Sequence, residues 1–111
     1  MKVAIIGSRN ITVNNLQKYL PSDITEIVSG GARGIDACAR NYAHAHGIKL
    51  VEFLPDYDKY GKFAPLQRNL LIIDYSDEVI AFWDGVSHGT KFVIEKCREK
   101  GKKITVLVKK I

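Results

Sequence analysis

Strand-length apolar runs alternate with segments of helical period along the chain, and this alternation constrains the fold more than any single motif. Lys2–Gly7 is a near-continuous apolar run, the pattern of a strand buried on both faces. A short helix is predicted over Val13–Leu20, where Leu16, Tyr19 and Leu20 share a side and Pro21 stops the pattern. Thr25–Ser29 reads as a second strand. A longer helix is predicted from Gly34 to His46, with Ile35, Ala39, Tyr42, Ala43 and His46 on its period and Gly47 suited to end it. Lys49–Leu54 is a third strand, Pro55–Phe63 a loop, and Pro65–Tyr75 a third helix with proline in its first turn. Glu78–Trp83 is a fourth strand, His88–Lys100 a last helix ended by Gly101, and Lys103–Val108 a fifth strand.

Five strands separated by four helices predict an α/β fold, with a parallel sheet, right-handed crossovers and helices on both faces. The natural arrangement is a doubly wound sheet of order 3-2-1-4-5. A chain of 111 residues suits one domain with a modest core, residues 1–111. In such a sheet ligands bind beyond the carboxyl ends of the strands, where the strand order reverses. That places the expected crevice between strands one and four, with strand two beside it.

Composition narrows the class. No apolar run approaches 18 residues, so no membrane span is expected. The start, Met1 to Gly7, is too short and too soon broken by glycine for a signal-peptide core, and a cytoplasmic protein is the expectation. Cys38 and Cys97 lie in helical patterns among apolar neighbours and read as small buried hydrophobes. Basic residues outnumber acidic ones by seventeen to twelve, for a formal charge of +5. Lys91, Lys96, Arg98, Lys100, Lys102, Lys103, Lys109 and Lys110 crowd the C-terminal end, against Glu95 and Glu99. The cluster reads either as a solvated helix face and tail or as a surface for nucleic acid.

The nine glycines are not scattered evenly. Gly47 and Gly101 end helices and Gly61 lies in a loop. The others, Gly7, Gly30, Gly31, Gly34, Gly85 and Gly89, all follow strands one, two or four, the three whose ends meet at the crevice. Glycine lets backbone amides approach a ligand, and a loop feeding a helix N-terminus offers free N–H donors. The combination suits a phosphate or a similar anion. Tight strand-to-helix turns would use the same residues. None of the segments has the spacing of a dinucleotide fingerprint or of a Walker-type loop, and no cofactor is expected.

Taken together the segments carry a resemblance. Gly7-Ser8-Arg9, Ser29-Gly30-Gly31-Ala32-Arg33-Gly34-Ile35-Asp36, Arg68-Asn69 and Gly85-Val86-Ser87-His88-Gly89-Thr90 occur in that order. The set resembles the SLOG superfamily, named for the DNA-processing protein Smf/DprA and the LOG phosphoribohydrolases. It is most similar to the small stand-alone YspA-type domains of bacteria and their phages. The resemblance implies a Rossmann-like sheet with a nucleotide or nucleotide-derived phosphorylated ligand at the glycine loops. LOG enzymes remove the base from nucleoside 5′-monophosphates; DNA-processing proteins bind single-stranded DNA; YspA-type domains are thought to sense or process nucleotide signals. Pairing through helices flanking the site is common in the family, so a homo-oligomer is expected.

Carried onto this chain, the resemblance makes Gly30, Gly31 and Gly34 the floor of a phosphate or ribose cradle, with Gly7 at the end of strand one. Ser29 adds a hydroxyl, or simply caps its strand. Ser8 and Arg9 stand at the mouth of strand one, and Arg9 can fork onto a phosphate; Arg33 is a further candidate. Arg68 matches the arginine of the LOG-type MxxRK helix, and Asn69 lies with it off the stripe of Leu66, Leu70 and Ile73. Gly85, Ser87, Gly89 and Thr90 stand where LOG enzymes carry PGGxGTxxE. The glutamate of that motif is replaced by Val93, and Glu95 sits about 200° further round the helix. Asp84 is the best remaining carboxylate at the crevice; Asp36, in the first turn of its helix, reads mainly as complementing the dipole.

Tyr57, Tyr60, Phe63 and Trp83 could stack a base or pack a core. His44, His46 and His88 lack metal-ligand spacing, so no metal is expected, although His88 beside Ser87 leaves proton transfer open. Binding of a phosphorylated nucleotide-like ligand is the leading functional reading. A nucleotide hydrolase using Asp84, His88 or Glu95, and a single-stranded DNA binder using the lysine-rich end, are the alternatives.

Overall fold

The computed structural model describes residues 1–109; Lys110, counted above in the basic cluster, lies outside the described residues. Five strands, β1 (Lys2–Gly7), β2 (Glu26–Ser29), β3 (Lys49–Glu52), β4 (Glu78–Trp83) and β5 (Lys103–Val108), form one sheet of order β3-β2-β1-β4-β5. Every pairing is parallel, with Val3 opposite Ile27 on one side and Glu78 on the other. The helices are α1 (Ile35–Ala45), the short α2 (Tyr57–Tyr60), α3 (Ala64–Tyr75) and α4 (His88–Lys100). This is the expected Rossmann-like doubly wound sheet.

Side-chain alternation along each strand divides the core in two. Val3, Ile5, Ile27, Ile80 and Phe82 face α1, which contributes Ile35, Ala39 and Ala43. Ala4, Ile6, Val28, Val79 and Ala81 face the opposite way, against Ile72 and Ile73 of α3 and Val93, Ile94 and Cys97 of α4. Burial of both faces explains why β1 reads as an unbroken apolar run, and each large core side chain contributes about 1.5–3 kcal/mol. Cys97 is fully buried and Cys38 half-buried. No helix among the described residues is long and apolar enough to cross a membrane.

Two local expectations differ. Over Val13–Leu20 the chain forms only a 3-10 turn, Leu16–Tyr19, and Asn15 gives it no side-chain cap. Ile11, Val13 and Leu16 are all buried against the α1 face, a spacing that matches an extended segment rather than one helical stripe. In the segment 55–63, read as a loop, Asp56 caps α2 by accepting from the Lys59 amide at 3.1 Å. A 3-10 turn, Gly61–Phe63, then runs directly into α3.

Candidate functional site

A cavity of about 440 Å³ opens at the carboxyl edge of the sheet, where β1 and β4 diverge in the winding. Ile6, Gly7, Ser8, Arg9 and Asn10 reach it from the end of β1, and Gly30, Ala32, Arg33 and Asp36 from the segment joining β2 to α1. Pro65, Arg68, Asn69 and Ile72 come from α3, and Ser87, Gly89, Thr90 and Val93 from α4. Of the residues singled out in the sequence, Gly7, Ser8, Arg9, Gly30, Arg33, Arg68, Asn69, Ser87, Gly89 and Thr90 line this one space. Ser29, Gly31, Gly34, Asp84 and Gly85 do not.

The second-strand loop is held by its own bonds. Ser29 is fully buried and its Oγ accepts from the Gly31 amide at 3.4 Å. The Ala32 amide donates to Asp36 Oδ2 at 3.1 Å. The Gly30 carbonyl accepts from Arg68 Nη1 at 2.8 Å, and the Gly31 carbonyl from Arg40 Nη2 at 3.2 Å. A Cβ at Gly30 would displace the Arg68 guanidinium from its place over the loop and lie 3.0 Å from Asp36 Oδ2. Gly34 is a seat rather than a floor. Its φ is +71°, and a Cβ would strike the backbone of Arg9, so glycine here lets the β1 loop rest on the start of α1. Gly31 faces Leu54 and Glu52 on the β3 side, away from the cavity.

The fourth-strand loop is organised differently. Asp84 turns back into its own loop: Oδ1 accepts from the amides of Val86 at 2.9 Å and Ser87 at 2.7 Å, and Oδ2 from the Ser87 hydroxyl at 2.7 Å. These bonds hold its carboxyl well below the usual range, down to about 2. The Asp84 amide donates to Ser8 Oγ at 3.2 Å, stitching the ends of β1 and β4 together. Asp84 therefore shapes the crevice from outside it, and Gly85, at φ +88°, turns away into open space. With the Ser87 hydroxyl drawn toward Asp84, α4 receives no side-chain cap at its N-terminus. Gly89 and Thr90 line the cavity there, and the Thr90 side chain is largely buried.

Arg68 is half-buried. Besides Gly30 it reaches the Phe53 carbonyl at 3.3 Å, and its Nε donates to Asn69 Oδ1 at 2.8 Å. Burial pulls its guanidinium below the ordinary value; Asp36 opposes that shift, and the charge of Arg9 adds to it. The two arginines thus lie within each other's field across a shared cavity. Asp36, assigned little from sequence, is 8% exposed and is the one acidic side chain among the described residues lining the cavity. Burial raises its carboxyl above the usual value, against the opposing effects of the Ala32 amide, Arg68, the Ser29 hydroxyl and Gly30. The pattern Gly-Ile-Asp held the only clue, since an acid one residue inside a helix beside a glycine turn can fold back over that turn. Val93 lines the wall on the α4 side.

Tyr57 and Phe63 are exposed beside α3, at 58% and 56%, and Trp83 donates Nε1 to the Ser87 carbonyl at 3.0 Å. The lysine-rich end is largely paired. Lys96 meets Glu99 at 3.1 Å, Lys100 meets Asp74 at 2.7 Å and Lys103 meets Glu78 at 3.3 Å, while Lys102 and Lys109 donate to the carbonyls of Ser76 and Thr12.

With this geometry the chain is similar in structure to DNA processing protein A (DprA) from Streptococcus pneumoniae, with a TM-score of 0.79 at 23% identity. The likeness covers 99% of this chain and 51% of that one, so this chain spans about half the length of that protein, and at this identity it concerns the fold alone. No curated protein matches the chain. Residues 1–60, which carry β1, β2, the glycine loop and α1, match the family described as YAcAr: YspA, cpYpsA-related SLOG family. The chain belongs to this SLOG family.

Proposed function

We propose that the chain binds a nucleotide or nucleotide-derived phosphorylated ligand in the cavity at the carboxyl edge of its sheet. The observation that carries this reading is the start of α4. Its N-terminal amides have no side-chain cap, Thr90 adds a hydroxyl-bearing side chain, and both line a cavity shared with Arg9, Arg33 and Arg68. Free amides at the positive end of a helix dipole, a hydroxyl donor and guanidinium groups are the chemistry of a phosphate site. An anion placed there would also relieve the repulsion between Arg9 and Arg68. A volume of about 440 Å³ lies within the range of small-molecule and cofactor pockets.

Neither alternative has comparable support. Cleavage by the LOG route has no glutamate at the α4 position, where apolar Val93 stands. Single-stranded DNA would need an open basic track, and the C-terminal lysines are instead interleaved with Glu95, Glu99, Asp74 and Glu78. A melting panel of nucleoside monophosphates, diphosphates and triphosphates tests the proposal. A ligand at a hundred times its Kd stabilises the native state by about 2.7 kcal/mol, enough to raise Tm by several degrees. No shift with any phosphorylated nucleoside at millimolar concentration would refute it.

A further inference from the structure

Asp36 is at odds with an anion site. A carboxylate repels phosphate, yet this one is held in the wall of the cavity at 8% exposure, within the field of Arg68 and braced by the Ala32 amide. The remaining polar wall is built chiefly of donors: Arg9, Arg33, Arg68, the Thr90 hydroxyl and the open end of α4. A helix start could be satisfied by an acid left in solvent, without the desolvation cost of this placement.

α4 packs on one face of the sheet and α1 on the other, so the cavity straddles the edge between them. Arg68, Thr90 and the start of α4 supply donors from one side, and Asp36 belongs to the α1 side, where Arg33 and Arg9 also reach the cavity. A ligand that fills both needs a phosphate at one end and a hydrogen-bond donor next to it at the other. In a nucleotide the group next to the phosphate is the sugar, and the donor it offers is a hydroxyl. A carboxylate in the wall can accept from that hydroxyl besides its bond from the Ala32 amide, and an analogue lacking the hydroxyl loses a hydrogen bond to a charged acceptor.

We propose that Asp36, within the binding site inferred above, accepts a hydrogen bond from the ribose hydroxyls and makes the site selective for ribonucleotides over 2′-deoxyribonucleotides. The inference rests on the nucleotide reading and goes beyond it, because it assigns the sugar and the residue that reads it. It also sets the site against deoxyribose, the sugar of DNA.

Isothermal titration of the full chain with AMP, GMP, CMP and UMP and with their 2′-deoxy counterparts tests it, alongside Asp36→Asn. At least one ribonucleotide is expected to bind about ten- to a hundredfold more tightly than its deoxy partner, the range for a hydrogen bond to a charged group. In Asp36→Asn that ratio should fall toward one, chiefly through weaker ribonucleotide binding. Should that variant fail to fold, the carboxyl carbon resonance of Asp36 in the unmodified chain serves instead; it should move with the ribonucleotide and stay fixed with the deoxy form. Equal binding of both sugars, an unchanged ratio in Asp36→Asn, or an Asp36 resonance indifferent to the sugar would overturn the assignment while leaving the nucleotide site standing. Absence of binding by all eight compounds would overturn the nucleotide reading, and this inference with it.

Discussion

The loops after β2 and β4 meet at the same cavity and are built on opposite plans. The β2 loop, Ser29 to Gly34, is the conspicuous one, yet its polar groups are largely engaged within the protein: Gly31 N by Ser29, Ala32 N by Asp36, and the carbonyls of Gly30 and Gly31 by Arg68 and Arg40. The β4 loop has fewer glycines and directs its one strong acceptor, Asp84, inward upon itself. That inward turn is what leaves the start of α4 open. Glycine richness here marks where backbone must pass close to backbone and side chain; availability of donors is decided by where nearby side chains direct their own bonds.

The largest expected effect separates the two plans by stability. Gly34→Ala should strain a backbone at φ +71° by about 1–3 kcal/mol and add roughly 1–3 kcal/mol of overpacking against Arg9. Gly85→Ala, with φ +88° but open space around it, should show the strain alone. Urea unfolding of both variants measures the difference; equal losses would show that Gly34 is no seat. Next in size is Arg68→Ala, which strips the Gly30 and Phe53 carbonyls of their donor and should cost about 1–3 kcal/mol. Arg68→Lys, lacking the fork, should recover only part of it. Full recovery by lysine would mean that the charge matters and the bidentate bracing does not.

The two carboxylates sharpen the comparison through pH. The Asp84 carboxyl is depressed to about 2, so its contribution is present above the unfolded value of 3.8 and is lost as pH falls through about 2. Asp84→Asn should therefore lower Tm at neutral pH, with the gap closing between pH 3.8 and about 2. Asp36 is raised, so its contribution is full below 3.8 and is lost as pH rises through the folded value. Asp36→Asn should gain on the unmodified chain as pH rises from acid to neutral. Parallel pH profiles for the two variants would contradict the opposite roles given to them.

The smallest expected change in stability is that of Thr90→Val. Thr90 lines the cavity, and a hydroxyl that faces it can be exchanged for a methyl with a change within about 0.5 kcal/mol. A large loss would show that the hydroxyl is engaged within the protein after all.

The sheet was legible because parallel strands buried on two faces leave apolar runs that sequence shows directly, and the strand order followed from alternation and handedness. The convergence of Gly7, Gly30 and Gly89 was legible for the same reason, since the topology places those strand ends together. What escaped reading was set by side-chain direction across long separations. Asp36 looks like a dipole partner until Arg68, from another helix, is brought beside it. Asp84 looks like a crevice carboxylate until its oxygens are followed to Val86 and Ser87. The segment 13–20 has apolar residues near helical spacing, but Val13 and two asparagines favour the helix weakly, and packing against α1 decides its shape.

Titration of isotope-labelled protein with AMP, followed through backbone amide resonances, tests the central claim most directly. The largest shifts are expected at His88, Gly89 and Thr90, with those of Gly31 and Ala32 small because their amides already have partners. Shifts concentrated at Gly31 and Ala32, with the start of α4 unmoved, would contradict it.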